Sequence, residues 1–174
     1  MEAERRFKIR CMNPDEVDRV SELVRALQSH QKMKVISRLP TSQDLELDLT
    51  HIADSGGRVS SNKGTFTVVA IDTSKLCSAD RSYIVGYLIY TQSFSVIYGR
   101  RIYMNSFFIE EEYRRHGLGR KIMDFMRLHA TATGNSIIDV PVMNDNPIGQ
   151  KFYAFYGAYP VSDEYIVYGK ALDD

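Results

Sequence analysis

Cysteine is scarce in this sequence: 174 residues carry two, Cys11 and Cys77. Two thiols cannot build the disulfide framework of a small secreted domain, and their separation fits no zinc spacing. Both are therefore expected to be reduced and structural, in a cytoplasmic protein. An excess of charge of one sign is also missing. Lys and Arg number 22 and so do Asp and Glu, for a formal net charge of zero at pH 7. No global field then points to nucleic acid or to a membrane surface, and any electrostatic recognition must be local. The longest apolar run, YIVGYLIY at 83–90, is far shorter than the roughly 20 residues of a membrane-spanning helix. The opening MEAERRFKIR has no apolar stretch, so no secretory leader is expected there. Gly-x4-Gly-Lys-Ser/Thr and Gly-x-Ser-x-Gly are both absent, which sets aside P-loop nucleotide hydrolysis and the serine-hydrolase elbow. His30, His51, His116 and His129 do not fall at metal-ligand spacing, and no metal is expected.

What is present is an ordinary globular composition, 44% apolar and 25% charged, of a length that suits one domain over 1–174. FKIRCM at 7–12 reads as a first strand. Asn13-Pro14 then opens a helix over 14–29, with Asp15 and Glu16 in its first turn and Val17, Val20, Val24 and Leu27 on one face. Thr41-Ser42 suggests a second helix over about 42–53, and DSGGRVSSNKG reads as a loop. TFTVVAID, RSYIVGYLIYTQS and GRRIYMNSFFIE are β-branched and aromatic runs, expected to form an antiparallel meander. A helix over 117–131 presents Leu118, Ile122, Phe125, Met126 and His129 on one face. NSIIDVPVM is the next strand. NPIGQKFYAFYG is a helix opened by Asn146-Pro147 and closed by Gly157, and DEYIVYGKAL is a last strand. The order β-α-α-β-β-β-α-β-α-β is that of a single α/β domain with a mixed, mostly antiparallel sheet flanked by helices.

EEYRRHGLGRKIMDF at 111–125 gathers two arginines, a histidine and two glycines ahead of a helix start. A helix N-terminus leaves unpaired N–H groups and carries about half a positive charge. Glycine lets a ligand approach the backbone closely. Arg114, Arg115, His116, Gly117, Leu118, Gly119 and Arg120 can thus form a cradle for linked phosphates, or simply a solvated turn. The glycines lie too close together for a Rossmann turn, and no suitably placed acid follows. Residues 114–119, Arg-Arg-His-Gly-Leu-Gly, resemble the Arg/Gln-x-x-Gly-x-Gly/Ala pyrophosphate loop of the GNAT superfamily of N-acetyltransferases. Asn146, Phe152-Tyr153 and Gly157-Ala158 match the spacing of that superfamily's later helix. GRRIYMNSFFIEEEYRRHGLG and NPIGQKFYAFYGA are similar to segments of the diamine (spermidine/spermine and thialysine) N-acetyltransferases.

The resemblance implies acetyl-CoA as acetyl donor, a primary amine of a small molecule as acceptor, direct attack in a ternary complex, and a homodimer. It implies further that backbone groups of Phe107, Phe108 and Ile109 meet the thioester and its pantetheine arm. Asn146 would join the cofactor contacts, and Tyr153 would protonate the leaving sulfur. A lysine-like amine has a pKa near 10.4, so only about one molecule in a thousand is neutral near pH 7.4, a shortfall of about 4 kcal/mol. The diamine enzymes carry a Glu-Asp pair where this chain has Asn105-Ser106. Neither replacement takes a proton at neutral pH. Glu110, Glu111 and Glu112 follow, expected beyond the strand's end, so a water relay or an amine of lower pKa is indicated. QSHQKMK at 28–34, which includes Gln31, is neutral or basic where acidic polyamine contacts would lie. Asn105, Ser106 and Gln31 are then substrate contacts for a smaller neutral or carboxylate-bearing amine, with Lys32, Lys34 or Arg38 as further partners. A non-catalytic acetyl-CoA-binding protein and a peptide or protein N-acetyltransferase are the alternatives.

Overall fold

In a computed structural model of the chain, residues 6–31, 64–76, 81–96 and 99–161 are described. They fall into two compact units, one ending at Val140 and the other beginning at Pro141. The first unit holds a five-stranded sheet of β1 (Phe7–Cys11), β2 (Thr65–Asp72), β3 (Ile84–Ser95), β4 (Gly99–Ile109) and β5 (Ile137–Asp139), in that spatial order. β1 to β4 run antiparallel, and β5 lies parallel to β4. Helix α1 (Val17–Gln31) follows β1, and α2 (Leu118–Ala132) makes the crossover from β4 to β5. Fold class and element order match the sequence reading over these residues. The expected helix near 42–53, the loop ahead of Gly64 and the last strand at 163–172 lie outside the described residues.

Two boundaries differ from expectation. The helix expected from residue 14 starts as a 3-10 turn over Pro14–Glu16. The cause is Glu16, a buried carboxylate. It accepts from Asn13 N–H, from Arg10 and from the Tyr83 hydroxyl, each at 2.8 Å, which draws the first turn tight. The strand expected over NSIIDVPVM is cut to Ile137–Asp139. Pro141, which has no N–H to donate to a ladder, ends it.

The sheet buries both faces. Val20, Leu23 and Val24 of α1 pack with Val69, Ile71, Tyr87, Ile89 and Phe108. Toward α2, which buries Leu118, Ile122 and Met126, the rings of Phe66 and Tyr90 stack at 5.1 Å. Each fully buried apolar side chain contributes about 1.5–3 kcal/mol.

Strict alternation would put Ile102, Met104, Ser106 and Phe108 on a single face. The register prevents this. Tyr90 pairs with Met104 and Ile89 with Ser106, leaving Asn105 as the extra residue of a β-bulge. The bulge shifts the phase by one residue, so Ile102 and Met104 serve the α2 side while Ser106 and Phe108 serve the α1 side.

In the second unit, α3 (Pro147–Phe155) is capped by the Asn146 side chain, which accepts from Gly149 N–H at 2.9 Å. Gly157, at φ +79, ends the segment, with Ala158 N–H returning to Tyr153 O at 3.1 Å. No helix among the described residues is long and apolar enough to cross a membrane.

Two stability outcomes follow from this packing. A Cβ at Gly86 would sit 2.8 Å from Phe108 O and 3.3 Å from Ile109 Cα, both backbone atoms of β4. Gly86→Ala should therefore cost about 1–3 kcal/mol in urea unfolding, because strands cannot yield as a flexible side chain does. His129 packs edge-on to Tyr90 and flat on Phe125, and burial lowers its pKa from 6.5. The folded chain then takes up that proton only at lower pH than the unfolded chain. The His129 contribution is whole above about pH 6.5 and is lost as the pH falls below it. The drop in Tm between pH 7.5 and 5.5 should shrink in His129→Phe, and an equal drop would place the titration elsewhere.

Candidate active site

The C-terminal half of β4 has an edge that its N-terminal half lacks. β5 pairs with β4 only across Arg101–Tyr103. Beyond Tyr103, β4 pairs among the described residues with β3 alone. Glu110 N–H bonds Val85 O at 3.0 Å, so alternation directs Phe108 and Ser106 backbone groups toward β3 as well. The amides and carbonyls of Phe107 and Ile109 consequently turn to the other side. Arg114 Nε donates to Ile109 O at 2.9 Å, and the guanidinium lies 5.5 Å from the centre of the Phe108 ring. The arginine expected to face phosphate thus braces the end of β4 with its side chain.

The chain then makes a 3-10 turn over Glu111–Tyr113, closed by Arg114 N–H on Glu111 O at 3.1 Å. Tyr113 is buried; its ring meets Phe7 edge-on at 6.2 Å, and its hydroxyl accepts from Lys75 Nζ at 2.5 Å. With the turn anchored there, the next residues are forced into an unusual path. Arg115 takes φ +63 and Gly117 φ +81. A left-handed conformation costs an arginine roughly 1–2 kcal/mol. Gly117 is the N-cap of α2 and makes no side-chain cap bond. The first intrahelical amide bond is Lys121 N–H to Gly117 O at 3.1 Å, so the amides of Leu118 and Gly119 precede the ladder. A Cβ at Gly117 would meet nothing within 4 Å. Successive amides in a left-handed turn at an uncapped, open helix start form an anion nest. Arg115, His116 and Arg120 stand exposed around it.

On the α1 side of the same strand end, Asn105 and Ser106 are neutral and Glu110 is paired, while the exposed Glu111 and Glu112 line a cavity with Phe108, Arg114 and Ala26 of α1. Asn105 is the exposed bulge residue, and its Oδ1 accepts from the Thr91 hydroxyl at 3.4 Å. Ser106 Oγ lies 2.8 Å from the Tyr87 hydroxyl. Glu110, where the strand has just ended, pairs with Arg19 of α1 at 2.7 Å, and Arg19 also donates to Ile84 O at 3.2 Å. Neither Tyr87 nor Arg19 was legible as a site neighbour from sequence, since they approach from 19 and 91 residues away. Only the alternation of β3 hinted at Tyr87. Gln31 is the last residue of α1; Lys32, Lys34 and Arg38 lie outside the described residues.

In the second unit, Tyr153 is half-buried on α3, with the Phe152 ring edge-on at 5.1 Å. Burial pushes its phenol above the ordinary value of 10. The neutral, proton-bearing form is therefore the one held at physiological pH.

The profile of the acetyltransferase (GNAT) family matches residues 27–158 of this chain. The chain belongs to that family. A bovine (Bos taurus) thialysine N-epsilon-acetyltransferase is 31% identical over 80 residues, which cover 46% of this chain and 47% of the relative. The chain thus spans about half the length of that curated relative. An aminoglycoside acetyltransferase from an uncultured soil metagenomic sample, solved with sisomicin, superposes with a TM-score of 0.66 over 98% of this chain and 99% of its own, at 17% identity. A ribosomal-protein-alanine N-acetyltransferase from Brucella melitensis gives 0.67 over 94% and 99%, at 13% identity. At such identities these structures share the fold with the chain. Family membership agrees with the GNAT resemblance of residues 114–119 and 146–158.

Proposed function

We propose that this GNAT-family chain is an acetyl-CoA-dependent N-acetyltransferase that acylates a primary amine of a small molecule by direct attack in a ternary complex. The observation that carries the reading is the open amide nest at Arg115–Gly119, which fits a pyrophosphate by donor geometry and by charge. Leu118 and Gly119 amides would hold the phosphates at the helix start, with Arg115 and Arg120 neutralising their charge, His116 as a further hydrogen-bonding contact and Arg114 setting the shape of the turn. Backbone from Phe107 to Ile109, around Phe108, would orient the acyl end. When bound, acetyl-CoA supplies an acetyl group activated as a thioester. Asn146, by capping α3, fixes the helix on which Tyr153 keeps its proton. That phenol is assigned as the proton source for the departing sulfur, since it carries its proton at neutral pH where a carboxylate would not. We place the enzyme in the cytoplasm, as a homodimer.

A second reading, a binding protein without turnover, draws on one observation. β4 itself carries no carboxylate from Gly99 to Ile109 and Glu110 just beyond it is engaged by Arg19, which leaves the exposed Glu111 and Glu112 of the following turn as the nearby carboxylates.

Titration calorimetry with CoA tests the nest. Gly117→Asp places a carboxylate and a strained β-carbon at the cradle and should weaken CoA binding at least about tenfold. Unchanged affinity would move the phosphates to another surface. Tyr153→Phe should lower kcat for CoA thiol release by about a hundredfold while CoA affinity changes less than about threefold. An equal loss in both would make Tyr153 a binding residue, and CoA binding with no thiol release from any amine would leave the binding-protein reading.

A further inference from the structure

Arg114 is the residue at which the strand end and the nest meet. Its backbone N–H closes the 3-10 turn just ahead of Arg115, while its side chain runs five residues back to Ile109 O at 2.9 Å. Charge alone would give this arginine to the phosphates, as it does Arg115. We propose instead that Arg114 is a positioning residue for the pantetheine and thioester half of the coenzyme, and that it is no phosphate ligand. The proposal deepens the acetyl-CoA reading and rests on it.

Three observations carry it. The first is the face of the sheet. Phe108 belongs to the cluster beneath Val20, Leu23 and Val24 of α1. The Arg114 guanidinium lies 5.5 Å from the centre of that ring, and both residues line the cavity beside Ala26 of α1. The nest opens at the start of α2, on the opposite face. His116 marks that side: its ring lies 6.4 Å from that of Phe7, whose carbonyl accepts from Lys121 of α2 at 3.2 Å. The loop thus straddles the end of the sheet, with the Arg114 side chain on one face and the amides that follow it on the other.

The second is the peptide that joins Ile109 to Glu110. Its N–H donates to Val85 O at 3.0 Å, and its carbonyl accepts from Arg114 Nε. Both polar groups of the last peptide of β4 are held, one by β3 and one by Arg114, which does here what β5 does at Arg101–Tyr103. The Ile109 N–H leaves the strand on the same side as that carbonyl, so the plane that Arg114 fixes also aims the donor assigned to the acyl end. The third is charge. Glu110, Glu111 and Glu112 line the same cavity as the guanidinium, and Glu111 and Glu112 are exposed. A phosphate reaching for Arg114 would enter among carboxylates that repel it. The neutral pantetheine arm meets no such opposition.

Two probes separate the halves: CoA, and ADP, which carries the diphosphate without the arm and is measured by its displacement of CoA. Arg114→Met keeps the stem beside Phe108 and removes the donor. Its CoA Kd should rise about tenfold, while its ADP Kd stays within about twofold of wild type. The CoA loss should be the same in low salt and at about 0.3 M salt, because a contact with a neutral arm is not screened. Arg114→Lys, which can still donate to Ile109 O, should bind CoA within about threefold of wild type. Equal losses of ADP and CoA, or a loss that high salt erases, would make Arg114 a phosphate contact and overturn the assignment. A Met variant that binds CoA as wild type does, or a Lys variant no better than the Met variant, would overturn it too. In each of those cases CoA binding by wild-type protein leaves the acetyl-CoA reading standing. Wild-type protein that binds no CoA, or from which ADP displaces none, removes the nest assignment and this proposal with it.

Discussion

One surplus residue in a strand governs the site. Asn105 has no register partner in β3, and its insertion turns the pleat over. Before it, Ile102 and Met104 fill the α2 side. After it, Ser106 and Phe108 fill the α1 side. A regular strand would crowd four side chains onto one layer and leave the other without Phe108. The bulge also lies next to the place where the parallel pairing with β5 ends, so a change of phase coincides with a change of neighbour. Bulges re-aim side chains, and here the re-aimed residues are Ser106 and Phe108.

The turn after β4 depends on that strand's end being held still. Arg114 does this from one side, through Ile109 O and the Phe108 ring, and Tyr113 from the other, against Phe7 and Lys75. Directly after these anchors Arg115 is driven into a conformation that arginine avoids. Strain of this kind persists only when its surroundings over-determine it. The result is a set of amides already arranged before any anion reaches them, so little ordering is left for a ligand to impose.

Much of this architecture could be read from the sequence, because it follows from local chemistry. Three β-branched runs gave the meander, Asn13-Pro14 and Asn146-Pro147 marked helix starts, and Gly117 marked the start of α2. Of the two misread boundaries, the early end of β5 is local, set by Pro141, and the start of α1 is not. Glu16 is tightened by Arg10 and Tyr83, one near in sequence and one 67 residues on. The bulge could not be seen at all, since a slip in register is a property of two strands and not of one. For the same reason Asn105 and Ser106 could be noted as departures from the diamine enzymes, while the Tyr87 partner of Ser106 and the Arg19 partner of Glu110 emerged only from the tertiary structure.

The joint between β4 and β5 spans three residue pairs, whereas β3 and β4 share an uninterrupted hairpin running from Ser95–Gly99 to Gly86–Ile109 apart from the bulge. A hairpin closes locally and early, and a parallel join that must wait for a helical crossover closes late. The sheet is therefore expected to zip from β3–β4 outward and to fray first at β5. Amide exchange should be slow along the hairpin and fastest at Ile137–Asp139, so the short parallel strand would be the part of the sheet that breathes most readily.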